Sequence, residues 1–327
     1  MTKHTRITPP PGKSLIERAE GLFGQATDFH AAPVPSDLAP PVNRRKVRRA
    51  KPLQGEILPP ETPHGPETVN VSPEASYDDV QFSGEVHEID REALALHGLI
   101  QPDGAVSALL EEFRIVKRQV LQSVRKAREA GSGALAQRVL VCSPLPAEGK
   151  SYCAVNLALA MAAEKDSEVL LVDADFAKPS VLSMLGLPRG PGFMDVLARD
   201  DIAVEDCVMR TDVAGLHVLP AGNHTTSDSE FLSSTRTAEV LDRLTRAAPG
   251  RIIIFDTSPA LAASPAAELA NHVGQALVIA RADRTGQSAL EDALTLLSAC
   301  PDLKLLLNAA HFSPSGRRFG AYYGEEG

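Results

Sequence analysis

Two kinds of apolar pattern alternate along the chain from Ser107 onward. In residues 107–130, SALLEEFRIVKRQVLQSVRKAREA, the residues Leu109, Leu110, Phe113, Val116, Val120 and Leu121 recur at helical spacing, which predicts a long amphipathic helix. After Gly131-Ser-Gly come short apolar runs at 139–142, 169–172, 216–219, 252–255, 276–280 and 303–307, separated by helical patterns and polar loops. Several runs show no polar alternation, as expected of strands covered on both faces. Strand–helix alternation implies right-handed crossovers and so a doubly wound, mostly parallel α/β sheet with helices on both faces. No internal repeat is visible.

Residues 1–90 hold neither pattern for long. Thirteen of the 25 prolines precede position 74, mixed with Glu, Ser, His and Gly. Such a composition buries too little apolar surface to offset chain entropy, so a long disordered, Pro-rich linker is expected. Two islands interrupt it. Leu15, Ile16, Ala19, Leu22 and Phe23 share one helical face after a Ser14 cap, predicting a short amphipathic helix near 14–24, either a docking element or a transient helix without a partner. The basic run at 44–51, RRKVRRAK, suits anionic headgroups or nucleic acid, or is simply solvated.

The totals exclude several classes. A formal charge of −9 argues against a general nucleic-acid binder, whose footprint is basic. No stretch reaches the ~20 apolar residues of a membrane helix, and the N-terminus has no apolar signal core. Cys142, Cys153, Cys207 and Cys300 form no C-x-x-C pair and read as small apolar filler in a reducing compartment.

The candidate chemistry sits where apolar runs end. The first continues as Cys142-Ser-Pro-Leu-Pro-Ala-Glu-Gly-Lys-Ser151 and enters an apolar helix. Strand, Gly-Lys-Ser loop and helix form a phosphate-binding P-loop, in which backbone N–H groups and the helix N-terminus surround phosphate oxygens. Lys150 is placed to reach the β/γ-phosphates and Ser151 to ligate Mg²⁺. Ser143, Ala147, Glu148, Gly149, Lys150, Ser151 and Tyr152 form the nucleotide-binding set, together with Asn308 at the end of the last run. The second run ends in Asp173-Ala-Asp175, two carboxylates suited to a hard cation or to accepting a proton. Asp256 closes a third run, as in P-loop sites where such a residue steadies Mg²⁺. Three strand ends converging on one crevice predict an ATP and Mg²⁺ site.

These elements together resemble the bacterial tyrosine kinases, which use a P-loop sheet. The family's Ser-x-x-Pro-Gly-x-Gly-Lys-Ser/Thr loop is matched by 143–151, its Asp-x-Asp element by Asp173 and Asp175, and its hydrophobic-Asp-Ser/Thr-x-Pro element by Asp256, Thr257 and Pro259. The family's oligomerisation motif Glu-x-x-Arg-x-x-Arg fits Glu111, Arg114 and Lys117, with lysine last. The likeness is greatest to the exosortase-associated autokinases of exopolysaccharide loci, through residues 112–118, 173–180, 219–222 and a tail ending in tyrosines.

The resemblance implies an ATP-dependent protein-tyrosine autokinase regulating exopolysaccharide polymerisation or export. Lys150, Asp173 and Asp175 would be catalytic, with Lys150 neutralising the transferring phosphoryl group and Asp173 orienting or deprotonating the tyrosine hydroxyl. Ser151, Asp175 and Asp256 would hold Mg²⁺, directly or through water. Tyr322 and Tyr323 on the glycine-rich tail would be the phosphoacceptors. Tyr152 is expected in the core, and Tyr77 has no supporting pattern. The implied divisions are a linker at 1–90, an oligomerisation helix segment at 91–130, a kinase domain at 131–312 and a tail at 313–327. The implied partners are other copies of the chain in a ring and a separate membrane-bound chain-length-determinant or activator protein, which would hold this cytoplasmic chain at the inner face of the membrane; no nucleic acid is expected. Ala147 replaces a family glycine, Ser258 a common proline and Lys117 an arginine. Ala147 is expected to tighten the loop without preventing phosphate contact, since alanine accepts ordinary backbone angles, though not φ > 0. Two other readings stay open: a partitioning-type ATPase, although Leu145 stands where such proteins carry a second lysine, and a non-catalytic nucleotide-gated scaffold.

Overall fold

The computed structural model describes residues 80–310, apart from 165–166, 226 and 247. The 14–24 helix, the 44–51 basic run, Tyr77, Tyr322 and Tyr323 lie outside the described residues.

Eight strands form one sheet in the order β1-β4-β5-β3-β6-β2-β7-β8. They are β1 (Val86–His87), β2 (Arg138–Cys142), β3 (Glu168–Ala174), β4 (Met209–Thr211), β5 (Leu216–Leu219), β6 (Arg251–Thr257), β7 (Gln275–Arg281) and β8 (Leu303–Asn308). Every pairing is parallel except that of β4 with β5.

The central runs lack alternation because both sheet faces are covered. Val139, Val141, Val169, Leu171, Ile252 and Ile254 point into one core. Their neighbours Leu140, Cys142, Leu170, Val172, Ile253 and Phe255 point into the other. The first core is roofed by α1 (Arg91–Leu96), α2 (Ala108–Glu129), α3 (Lys150–Ala162) and α4 (Val181–Leu185). The second is covered by α5 (Phe193–Ala198), α6 (Val204–Cys207), α7 (Asp228–Leu232), α8 (Thr235–Arg246), α9 (Pro265–Ala270) and α10 (Gln287–Leu296). Helix α3 is buried nearly all round, which accounts for its run of apolar residues. Ser107 caps α2 by accepting from the Leu110 N–H at 3.2 Å.

Helix α2 packs on the sheet through Phe113, Val120 and Val124, which are buried in the first core. Residues 80–90 belong to the fold and not to a linker. Phe82 lies under the Arg251 guanidinium at 4.2 Å, and Ile89 is 1% exposed. Their few apolar side chains are scattered among polar ones, so no period announces them.

Candidate functional site

The chain moves from β2 to β3 on one side and later to β7 on the other, opening a crevice at the strand C-termini, where ligands bind in such sheets. The phosphate loop after β2 is held from several directions. The Ser143 hydroxyl donates to the Leu145 carbonyl at 2.8 Å, and the Leu145 N–H donates to the Glu148 carboxylate at 2.7 Å. Asn308 donates to the Glu148 carbonyl at 2.9 Å and Arg281 to that of Ala147 at 3.3 Å. Thr285 donates to the Glu148 carboxylate. Gly149 has φ +94°, and a Cβ there would stand 2.1 Å from the Asn308 amide nitrogen, so glycine is required. It precedes α3 without any side-chain cap, which leaves the first-turn N–H groups for an anion.

Ala147 departs from its expected conformation. It sits at φ +62°, the left-handed region, because the loop must turn its amides inward whichever residue occupies that place. The strain costs about 1 kcal/mol relative to glycine.

Parallel register sets Asp173 directly beside Asp256 across β3 and β6. Lys150 donates to Asp175 at 2.6 Å and to the Ser151 hydroxyl at 3.2 Å, and lies 3.8 Å from Asp256. Burial opposes the Lys150 charge, but Asp256 and the hydrogen-bonded Asp175 outweigh it and raise its pKa. Asp173 is fully buried and accepts backbone N–H groups from Asp175, Ser180 and Val181 at 3.0–3.2 Å. Burial still pushes its pKa up to about 6.

Asp256 has no exposure, and neither of its oxygens meets a donor at full hydrogen-bond geometry. Burial pushes it up to about 7, while Lys150 and the nearby Ser151 hydroxyl pull the other way. Asp175 and Asp256 thus flank the single Lys150 ammonium, one carboxylate more than it neutralises, a surplus that a cation would offset. Among the described residues no three His, Cys, Asp or Glu side chains are placed to hold a metal ion by themselves. The donor set fits an ion of the Mg²⁺ type, which keeps waters and takes phosphate oxygens beside one or two carboxylates.

The remaining sequence candidates are placed as follows. Tyr152 donates its hydroxyl to the Gly98 carbonyl at 3.1 Å, so its side chain turns away from the loop. Glu111 pairs with Arg114 on the same helix, and Lys117 reaches Glu164 at 2.8 Å. All four cysteines are buried and free; burial pushes Cys142 and Cys153 up to about 12, which keeps them as thiols. Arg281 and Thr285, which brace the loop, escaped sequence reading. The only hint is that they follow the last apolar residue of β7, beside the phosphate loop.

The fold and this loop define a protein of the P-loop NTPase type. No protein-family model matches the chain. It is 31% identical to the tyrosine-protein kinase YwqD of Bacillus subtilis, over 57% of this chain and 77% of that one. The chain belongs to the bacterial tyrosine-protein kinase family. It is also 37% identical over 147 residues to a putative tyrosine-protein kinase EpsB of Ralstonia nicotianae, and 31% over 209 residues to one of Ralstonia solanacearum. These matches cover 45% and 63% of this chain but only 19% and 27% of the relatives. The crystal structure of a chimerical protein, CapA2B2, shares the fold, with a TM-score of 0.52 at 24% identity over 67% of this chain and 92% of that one.

Proposed function

We propose that this chain is an ATP-dependent protein-tyrosine autokinase that regulates exopolysaccharide polymerisation or export. Asp256 carries the reading: a fully buried carboxylate without a proper donor, 3.8 Å from Lys150 and in register with Asp173. Leaving it so costs about 1–3 kcal/mol or more, a cost that ligand binding would offset.

ATP would lie along the loop with its phosphates on the N–H groups of Gly149 to Tyr152. Ser151, Asp175 and Asp256 would hold Mg²⁺, which when bound neutralises the phosphate charge. Lys150 would leave Asp175 for the transferring phosphoryl group. Transfer of this type depends mainly on positioning and charge neutralisation, so these groups suffice. Asp173, engaged by three backbone N–H groups, acts first as the brace that holds the start of α4 against β3.

The acceptors in this reading are Tyr322 and Tyr323, presented to a neighbouring copy in a ring built through Glu111, Arg114 and Lys117. Because Lys117 already pairs with Glu164, ring closure there exchanges one carboxylate partner for another. The activator is a separate membrane protein; among the described residues no helix is long and apolar enough to cross a membrane.

Incubation with labelled ATP and phosphosite mapping tests the proposal. Label on Tyr322 or Tyr323 that disappears in Lys150→Met supports it. Phosphate release without labelled protein would overturn it in favour of an ATPase.

A further inference from the structure

A cleft of about 330 Å³ opens beside the carboxylate cluster. Phe176 and Ala177, which follow Asp175, form one side, Ser258, just past the end of β6, lines it, and His224 and Pro265 complete it. In strand order the cleft lies beyond β3 and β6, on the far side of β2 from Asn308 and the end of the phosphate loop. Its volume is at the small end of the range for ligand pockets, about 300–1,000 Å³, which suits one side chain more than a nucleotide.

Two polar groups that line it have hydrogen-bonding capacity unused within the fold. Ser258 is 3% exposed and its hydroxyl has no hydrogen-bond partner; a buried hydroxyl left so is costly and points to a missing partner. His224 is held through Nδ1, which donates to buried Asp228 at 2.5 Å. Asp228 is itself fixed by the Thr225 N–H and hydroxyl at 2.9 and 2.8 Å. The imidazole is 59% exposed, so its orientation is set while Nε2 is left for a ligand.

We infer that this cleft seats the ring of the acceptor tyrosine, with Ser258 taking a hydrogen bond at the phenol and His224 bonding the substrate at the rim as positioning residues. The inference rests on the kinase reading above and adds to it the residues that select the acceptor. Phe176 and Pro265 supply the apolar walls and Ser258 a polar end, the combination that a phenol side chain satisfies and a phenylalanine does not.

The test is equilibrium binding of the peptide Gly-Ala-Tyr-Tyr-Gly-Glu-Glu-Gly to the full chain with Mg²⁺ and a non-hydrolysable ATP analogue. The chain carries Tyr322→Phe and Tyr323→Phe so that its own tail does not compete. Ser258→Ala is expected to weaken the peptide about tenfold, as for one lost buried hydrogen bond. It should equally abolish the preference for the tyrosine peptide over its phenylalanine counterpart. His224→Ala should cost about fivefold, with His224→Gln recovering part of that, and nucleotide affinity should stay unchanged in all three. Unchanged peptide affinity in Ser258→Ala and His224→Ala, or a parallel loss of nucleotide, overturns the cleft. In a second arm with ATP in place of the analogue, peptide that binds but receives no phosphate overturns the kinase reading and leaves the cleft standing.

Discussion

At the N-terminal edge of the sheet, Arg138 opens β2 and Arg251 opens β6, each 2% exposed. Arg251 donates to Glu168 at 3.0 Å and to the carbonyls of Leu244 and Val80 at 2.8 Å. Arg138 reaches Asp242 at 2.6 Å and the Thr245 hydroxyl at 2.8 Å. At the opposite end of the same two strands stand the phosphate loop, with its left-handed Ala147, and Asp256, whose oxygens lack proper donors. Asp256 is as buried as the two arginines, but it lacks the close partners that they have. A buried charge held by several partners secures the fold, whereas one left short of partners marks the place where a ligand completes the set.

Substitutions at the two edges should therefore separate activity from stability. The largest effect is expected at Lys150→Met, with phosphotyrosine formation falling at least about a hundredfold, the scale for removing one charge-stabilising group, while the fold persists by circular dichroism. Arg251→Met should do the reverse. It strands Glu168 and two carbonyls, and should cost roughly 3 kcal/mol in urea unfolding, yet leave nucleotide affinity unaltered at equal folded fraction.

Asp256→Asn should act on both sides of the comparison, losing Mg²⁺-dependent binding while raising the ligand-free stability by about 1–2 kcal/mol near pH 8. The sign follows from its raised pKa, about 7 in the fold against roughly 4 unfolded. The folded protein binds the extra proton, so the stabilisation is complete below about pH 4 and is lost as pH rises through 7. Asp173, also raised, to about 6, adds a loss of the same sign. Thermal melts from pH 5 to pH 8 should show wild type falling more steeply than Asp256→Asn. Ala147→Gly is the smallest case. It should relieve the φ +62° strain and raise stability by about 0.5–1 kcal/mol, with nucleotide binding retained.

Much of this was legible before the structure. All six apolar runs are strands; β2, β3, β6 and β7 carry an uninterrupted hydrophobic signal because both sheet faces cover them, whereas edge strand β8 leaves Leu305 and Leu307 exposed. Strands β1 and β4, two and three residues long, left no such trace; they form by pairing at the edge and not by their own burial. Gly149, Lys150, Asp175 and Asp256 stood out because phosphate and metal chemistry restrict residue type. Arg281 and Thr285 did not, since bracing a loop carbonyl or carboxylate can be done by many side chains from many places. The angle at Ala147 was misjudged for a related reason: composition favours an ordinary conformation, and only the loop's inward turn imposes the left-handed one. The His224–Asp228 pair and the unpaired Ser258 hydroxyl became visible only when three separate loops were brought to one cleft.

Calorimetry with ATP, in Mg²⁺ and then in EDTA, on wild type and Asp256→Asn tests the assembled site most directly. Wild type is expected to bind at least about tenfold more tightly with Mg²⁺, a difference of ~1.4 kcal/mol, and the variant to show almost none of that gain. Equal affinity with and without Mg²⁺ in wild type, or a full Mg²⁺ gain in Asp256→Asn, would contradict the account.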